Sequence, residues 1–257
     1  MKVLKMLKGK VVVITGSTSG VGFGTAKAAI DAGAKVFIHG PTKQAVDDAS
    51  AALGGVPGLA VDLVEPKAGC DIVEAALKAY GRVDGVVNNA GIFPRQTLEQ
   101  TEPVFFDRMF AINARSPLMV AQRAAAAFKA QGSGGSIVNI GSVNAYGGAP
   151  NIVAYSMSKG ALMTMTRGLA NALNGDLIRV NQLNLGWILT ETEKLIQREE
   201  GRPDDWFLNL PKAVVPTGKL LGPEDVAKHV VFWLSDQSAP VTGQVYEITQ
   251  TPFLGRV

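Results

Sequence analysis

A tyrosine and a lysine are spaced so that they could act together in proton transfer. Tyr155 and Lys159 lie four residues apart in a helical stretch, which places their side chains on one face, one turn apart. A free phenol, with a pKa of about 10, is a poor base at neutral pH, but a neighbouring ammonium stabilises the phenolate. We therefore expect Lys159 to lower the pKa of Tyr155 toward neutrality and to make it a general acid/base.

Other polar and aromatic residues could complete such a site. Ser142 ends a predicted strand, where a hydroxyl can hydrogen-bond an oxygen whose charge changes during a reaction. The candidate substrate contacts are Ser142, Asn144, Tyr155 and Trp187, with Trp206 as a further candidate. Tryptophans usually pack in the core, and a serine at a strand end or a Tyr/Lys pair on a helix is common by chance. The order of these residues along the chain, rather than any one of them, carries the interpretation.

A glycine-rich turn follows the first predicted strand. The sequence TGSTSGVG places Gly16, Gly20 and Gly22 just before a helix. Glycine lets backbone N–H groups approach a pyrophosphate closely, and the helix N-terminus adds partial positive charge, so the turn is typical of an anion site. No Gly-Lys-Ser/Thr follows, which argues against a P-loop kinase or ATPase. Taken alone, the turn could equally be ordinary turn chemistry.

Composition excludes several other classes of protein. Cys70 is the only cysteine, and His39 and His229 are too few for a zinc site, so we expect neither disulfide nor metal. Neither histidine adjoins a nucleophile motif, which argues against a hydrolase. The net charge of +3 has no like-charge blocks, so we expect no nucleic-acid or membrane partner. The lysine-interrupted opening lacks a signal-peptide core, and a cytoplasmic location is expected.

Short β-branched runs alternate with longer helical stretches, which is the pattern of parallel strands joined by crossover helices. Several strands are apolar almost without alternation, so helices should cover both faces. We predict an α/β fold: a single-domain, Rossmann-like, doubly wound sheet of about seven parallel strands over residues 1–257. The strands are placed at Val11–Thr15, Lys35–His39, Gly58–Leu63, Val83–Asn89, Ser136–Ser142, Arg179–Leu185 and Gly243–Thr249. The helices are placed at Gly20–Ala32, Thr42–Leu53, Pro66–Tyr80, Glu102–Ala130, Ile152–Leu173 and Pro223–Leu234.

One stretch breaks this alternation. Residues 187–221 follow the sixth predicted strand and are rich in charge, glycine and proline. In an open α/β sheet, ligands bind beyond the carboxyl ends of the strands, so an insertion there is a candidate lid over a substrate. The alternative is a solvated surface excursion.

The motifs together resemble one family. TGSTSGVG resembles the TGxxxGxG fingerprint of short-chain dehydrogenases/reductases, and NNAG at Asn88–Gly91 is similar to that family's next motif. The resemblance continues through Asn113, Ser142, Tyr155 and Lys159, which it implies are the catalytic residues. It implies an oxidoreductase that moves hydride between a nicotinamide dinucleotide and a small carbonyl or secondary alcohol, with a sugar or polyol among the candidates. The alternative is a dinucleotide-binding sensor or scaffold without turnover, which a missing catalytic residue would favour.

The same resemblance implies the cofactor contacts. It places Asp62 and Leu63 near the adenine, and Lys159 on the nicotinamide ribose. The complete implied set is Gly16, Ser17, Thr18, Ser19, Gly20, Val21, Gly22, Thr42, Asp62, Leu63, Asn89, Ala90, Gly91, Tyr155, Lys159, Gly186, Ile188 and Thr190. Two segments depart from the family pattern: Leu185-Gly186 replaces the usual Pro-Gly, and the chain ends in EITQTPFLGRV where the family often has Asp-Gly-Gly.

The segment after the second strand bears on which dinucleotide is used. An NAD site usually carries Asp or Glu there for the ribose 2′-OH, but His39–Lys43 contains no carboxylate. Many NADP-using relatives carry an arginine where Pro41 stands, which leaves Thr42, Lys43 and the following helix N-terminus to favour a 2′-phosphate. We expect NADP(H) to be favoured over NAD(H).

Asn113 lies inside the long predicted helix, four residues before Pro117. Proline has no N–H to bond the Asn113 carbonyl, and its ring crowds that oxygen. In the family, the corresponding asparagine sits at a helix kink and holds a water toward the lysine, so we predict a kink at Asn113–Pro117. The resemblance also implies that helices Glu102–Ala130 and Ile152–Leu173 form subunit contacts in a homotetramer or homodimer.

Overall fold

The computed structural model describes residues 5–251, and within them the backbone forms one seven-stranded parallel sheet. The strand order is β3-β2-β1-β4-β5-β6-β7, which reverses direction between β1 and β4. The strands are β1 Val11–Ile14, β2 Lys35–Gly40, β3 Gly58–Ala60, β4 Gly85–Asn88, β5 Gly135–Ser142, β6 Ile178–Leu185 and β7 Val245–Ile248. Ligands bind at such a switch point in doubly wound sheets, beyond the carboxyl ends of the strands.

Helices cover both faces of the sheet. One apolar core packs α1, α2 and α8 on one face, and a second packs α3, α5 and α6 on the other. The helices are α1 Gly20–Asp31, α2 Lys43–Ala52, α3 Ala68–Tyr80, α4 Pro103–Phe110, α5 Ser116–Gln131, α6 Val153–Leu173, α7 Glu191–Glu199 and α8 Pro223–Leu234. Among the described helices, none is both long and apolar enough to span a membrane.

The predicted doubly wound sheet is confirmed, with the seven strands near their expected positions. β3 ends earlier than expected, because the Asp62 side chain accepts from the Val64 N–H at 3.0 Å and turns the chain. Helix α7 was not predicted, since the glycines and prolines around it concealed its pattern. The single-domain prediction covers residues 1–257, of which residues 1–4 and 252–257 lie outside the described residues. The last part of the C-terminal segment that departs from the family pattern also lies outside them.

The long helix predicted at Glu102–Ala130 is present as an unbroken helical run from Pro103 to Gln131, with one irregular turn inside it. α4 and α5 are separated by a turn of π-helix at Ala111–Arg115, in which the Ser116 N–H reaches back to the Ala111 carbonyl. Pro117 follows at once and cannot donate to the Asn113 carbonyl. The regular α-helix is therefore interrupted next to the position where a kink was predicted, by a π-bulge of the kind frequent at functional sites.

Candidate active site

A cleft of about 830 Å³ opens at the carboxyl ends of the strands. It falls within the range of about 300–1,000 Å³ that is usual for small-molecule and cofactor sites. The cleft is lined by all but four of the residues predicted from the sequence to bind cofactor or substrate or to act in catalysis. Trp206 is one exception. The other three are Ser17, Thr42 and Asn113.

These three residues have structural partners. The Ser17 hydroxyl is buried and donates to the Ile14 carbonyl at 2.8 Å. The Thr42 hydroxyl caps α2 by accepting from the Ala45 N–H at 3.3 Å. Each therefore shapes the backbone around the cleft, and Asn113 does the same from the π-turn.

The glycine-rich turn has a backbone that only glycine fits. Gly16 has a φ of +62°, and a Cβ placed there would lie 2.8 Å from the Ala90 Cα. A Cβ on Gly22 would collide with the Gly16 carbonyl oxygen and the Asn89 amide. Ser19, the residue that precedes α1, makes no side-chain cap, so the first-turn N–H groups receive no acceptor from it. A crowded turn that faces the cleft and presents unshared N–H groups fits the pyrophosphate of a dinucleotide.

Asn89 and Thr15 hold this turn against β4. The Asn89 side-chain amide donates to the carbonyls of Thr15 and Gly16, at 2.9 Å each. In return, the Thr15 hydroxyl accepts from the N–H groups of Asn89 and Ala90, at 3.1 Å each. The predicted cofactor residue Asn89 thus lines the cleft and also fixes the shape of the glycine-rich turn.

His39 is a cleft residue whose role the sequence reasoning missed. Its Nδ1 accepts from the Gly16 N–H at 3.0 Å, and its Nε2 donates to the Val61 carbonyl at 3.0 Å. Both bonds require the neutral tautomer, and burial lowers the pKa of His39 accordingly. The ring therefore links the glycine-rich turn to the segment after β3. A histidine at a strand end gives no sequence signal for this role.

Tyr155, Lys159 and Ser142 meet in the cleft. The Lys159 Nζ lies 5.8 Å from the Tyr155 ring centroid and donates to the Ile140 carbonyl at 2.9 Å. Ser142 interacts with the Tyr155 hydroxyl and also accepts from the Asn144 N–H at 3.1 Å. The ring of Phe93 packs edge-on against Tyr155 with centroids 6.2 Å apart, which gives the phenol an apolar neighbour.

The expectation that the pKa of Tyr155 lies near neutrality is wrong, because desolvation outweighs the opposing influence of its polar neighbours. Burial raises the pKa of Tyr155 above its ordinary value, and the hydrogen bond with Ser142 opposes that rise only in part. Burial also lowers the pKa of Lys159 to about 8. The cause is desolvation, which disfavours the charged form of each group, while the ammonium is engaged by a backbone carbonyl.

Asn113 ties three segments together behind this group. Its side-chain oxygen accepts from the Ile92 N–H at 2.9 Å, and its amide donates to the Ser158 hydroxyl at 3.0 Å. The Ser158 hydroxyl in turn donates to the Tyr155 carbonyl at 2.7 Å. The π-turn, the loop after β4 and the first turns of α6 are therefore fixed relative to one another, which sets the position of Tyr155 and Lys159.

Residues 187–221 form one wall of the cleft. Their two ends come together, because the Leu189 N–H donates to the Leu221 carbonyl at 2.8 Å. Trp206 packs with Val215 and Leu220 in a small separate core and does not line the cleft, whereas Trp187 does. Glu193 and Gln197 of α7 also line the cleft, and the sequence reasoning missed both because it did not recognise their helix.

Comparisons with known proteins agree with this geometry. A family model described as "Enoyl-(Acyl carrier protein) reductase" matches residues 16–249. The chain is 34% identical over 247 residues to an L-rhamnose 1-dehydrogenase (NAD(P)(+)) of a Sphingomonas species, covering 93% of this chain and 94% of that protein. It is 32% identical over 247 residues to a 3-oxoacyl-[acyl-carrier-protein] reductase of Thermotoga maritima, covering 94% of this chain and 97% of that protein.

Among solved structures, the chain is similar to L-sorbose reductase from Gluconobacter frateurii, whose structure is a complex with NADPH and L-sorbose. The TM-score is 0.87 at 28% sequence identity, and the match covers 96% of this chain and 97% of the other. Similarity of this extent spans the sheet, the cleft and residues 187–221 together.

Proposed function

The chain belongs to the short-chain dehydrogenase/reductase family, and from that premise we propose that it transfers hydride between NADP(H) or NAD(H) and a small carbonyl or secondary alcohol, with Tyr155 as general acid/base. It is an NAD(P)-dependent oxidoreductase acting on alcohol or carbonyl substrates. The proposed role of Tyr155 is supported above all by one observation: Tyr155, Lys159 and Ser142 meet in a cleft that begins at the glycine-rich turn.

When bound, the dinucleotide would supply or accept the hydride. Tyr155 would donate its proton to the carbonyl oxygen during reduction and take it back during oxidation. The ammonium of Lys159 would stabilise the phenolate left after donation, and the Ser142 hydroxyl would hold the reacting oxygen. Because burial raises the pKa of Tyr155, the phenol is protonated at neutral pH, which suits carbonyl reduction.

The substrate class that we favour is a sugar or polyol. Two similar proteins support this choice: one is an L-rhamnose 1-dehydrogenase and the other an L-sorbose reductase. The experiment is a panel of sugars, polyols, keto acids and hydroxysteroids, each assayed with both dinucleotides by the absorbance of the reduced nicotinamide. Turnover of at least one carbonyl or alcohol supports the proposal, and a protein that binds dinucleotide but turns over none of them would instead favour a sensor or scaffold.

The preference for NADP(H) can be tested by binding. Within the described residues, no carboxylate lies in the segment 39–43 to repel a 2′-phosphate, and Thr18, Pro41 and the N-terminus of α2 are close by. Lys43 is exposed and forms an ion pair with Asp47, so it would have to leave Asp47 in order to bind a phosphate. We expect NADPH to bind about tenfold more tightly than NADH, the worth of one or two charge-assisted hydrogen bonds.

Fluorescence titration of the two reduced dinucleotides measures this ratio. Lys43→Gln should weaken NADPH binding and leave NADH binding unchanged. Lys228→Gln is the matched control, since Lys228 is also exposed and paired with a helical aspartate but lies on α8. A tenfold preference for NADH in the unmodified chain would contradict the proposal.

We also propose that residues 187–221, which form one wall of the cleft, act as a substrate lid.

We further propose that the chain is a homotetramer or homodimer. Apolar side chains stand exposed on the helices predicted to make subunit contacts: Val104 on α4 is 70% exposed, Leu118 on α5 is 39% and Met157 on α6 is 51%. Such residues grouped on adjacent helices are typical of an interface. We expect sedimentation equilibrium to give a multiple of the chain mass of 27.0 kDa, and Met157→Glu to reduce that mass. A monomer at all concentrations would contradict this assembly.

A further inference from the structure

A carboxylate on α7 faces the cleft. Glu193 is only 9% exposed, and its backbone N–H is fixed by the Thr190 hydroxyl at 3.1 Å. Its Oε1 accepts from Trp187 Nε1 at 2.8 Å and from Gln197 Nε2 at 2.9 Å. Among the described residues, no cation pairs with this carboxylate, and both of these hydrogen bonds fall on the same oxygen. Oε2 therefore keeps its capacity to accept hydrogen bonds.

The position of this carboxylate is rigid. Trp187 stacks on Trp206 with ring centroids 4.9 Å apart and planes 21° from parallel. The Arg202 guanidinium lies over both rings, 5.6 Å from the Trp187 centroid and 5.5 Å from that of Trp206. The indole N–H of Trp187 is thereby held toward Glu193. Arg202 packs on the two tryptophan rings and makes no ion pair with Glu193.

Gln197 adds a second acceptor at the same place. Gln197 is only 3% exposed and lines the cleft. Because Nε2 donates to Glu193, the amide is oriented, and its Oε1 is buried with no hydrogen-bond partner in the described part of the chain. A buried acceptor without a donor is costly, and such a group in a cleft points to a ligand that supplies one.

We propose that Glu193 and Gln197 are specificity-determining residues that accept hydrogen bonds from hydroxyl groups on carbons beside the reacting carbon of a polyhydroxylated substrate. The inference rests on the proposed oxidoreductase function. Both residues line the cleft that contains Tyr155, and the carboxylate is close enough to influence that phenol electrostatically. An apolar ketone would leave both acceptors unpaired, and an anionic substrate would meet the like charge of Glu193, so each should bind less well.

The test compares two ketones that share one carbon skeleton. Erythrulose carries hydroxyls on every carbon except the carbonyl, and 2-butanone carries none. Each is titrated by calorimetry into the protein saturated with oxidised dinucleotide, which cannot reduce either ketone, and the absorbance of the reduced nicotinamide is followed to check that the secondary alcohol of erythrulose is not oxidised during the titration. Glu193→Gln keeps the shape and removes the charge. Glu191→Gln is the matched control, because Glu191 is on the same helix, exposed, and absent from the cleft wall.

We expect the unmodified protein to bind erythrulose at least about tenfold more tightly than 2-butanone, and Glu193→Gln to weaken erythrulose binding about 10- to 100-fold with 2-butanone binding unchanged. Glu191→Gln should behave as the unmodified protein does. Gln197→Met, which removes the second acceptor at similar volume, should weaken erythrulose binding selectively as well. Equal weakening of both ketones, or no preference for erythrulose in the unmodified protein, would overturn the inference. Failure of the proposed function would appear separately, as an absence of hydride transfer from the reduced dinucleotide across the substrate panel.

Discussion

Tyr155→Phe is expected to lower kcat/KM about 10²- to 10⁴-fold, the usual contribution of a positioned general acid or base. The substitution removes only the phenolic oxygen, and the ring can keep its edge-on packing with Phe93. Dinucleotide affinity should fall far less than kcat/KM, because Tyr155 is only one of many implied dinucleotide contacts, and this difference separates loss of chemistry from loss of binding. The measurement is steady-state reduction of the best substrate in the panel, together with a titration of the dinucleotide.

Tyr80→Phe is the matched control for this substitution. The Tyr80 hydroxyl donates to the Val36 carbonyl at 3.0 Å, at the far end of the sheet from the cleft. Its removal should cost about 1 kcal/mol of stability and leave kcat/KM unchanged. If Tyr155→Phe and Tyr80→Phe had the same kinetic effect, Tyr155 would not be the proton-transfer residue.

The pH profile of the unmodified enzyme follows from the same group of residues. Lys159 has a pKa lowered to about 8 by burial, so its ammonium charge is lost as pH rises through that value. Tyr155 has a raised pKa and stays protonated over this range. Loss of the neighbouring positive charge destabilises the phenolate that forms on proton donation. The kcat/KM for reduction should therefore be level below pH of about 8 and fall above it.

Gly22→Ala is expected to raise the Kd of either dinucleotide about 100-fold or more and to lower thermal stability. A Cβ at this position would overlap the Gly16 carbonyl oxygen, a backbone atom that cannot rotate away, and the Asn89 amide that clamps it. The turn must shift to accommodate the methyl group, which moves the N–H groups offered to a pyrophosphate. Forced overpacking of this kind usually costs about 1–3 kcal/mol.

Gly168→Ala gives the control. Gly168 lies inside α6, and a Cβ there would meet nothing within 4 Å. Alanine is the better helix former by up to about 1 kcal/mol, so the variant should be as stable as the unmodified protein or more so, with unchanged dinucleotide affinity. Dinucleotide affinity retained in Gly22→Ala would show that the glycine-rich turn is not the pyrophosphate site.

The sheet could be predicted because its signals are local. β1 is a continuous apolar run and β2 is apolar over Val36–Ile38, and each is followed by a stretch of residues with helical spacing. The Tyr155–Lys159 spacing and the glycine-rich turn are also local, and their positions at strand and helix ends follow from the alternation. These local features are enough to predict which residues line most of the cleft.

The residues that were missed act through long-range contacts. His39 binds Gly16 and Val61, each more than twenty positions away, and no spacing rule connects them. The pKa of Tyr155 depends on burial, which the i, i+4 spacing does not report. Glu193 and Gln197 lie on a short polar helix within residues 187–221, a stretch for which the sequence pattern predicted a candidate lid but no helix. Each error therefore arises where tertiary packing, rather than local sequence, decides the chemistry.

The most direct test measures hydride transfer to the substrate and asks whether that transfer depends on Tyr155. The ketone or ketose turned over fastest in the panel is incubated with a reduced dinucleotide that carries deuterium at its reactive carbon, and the product alcohol is analysed by mass spectrometry. We predict deuterium on the former carbonyl carbon with the unmodified protein and with Tyr80→Phe, and only traces in the same time with Tyr155→Phe. An unlabelled alcohol from the unmodified protein, or equal labelling by Tyr155→Phe, would contradict the mechanism.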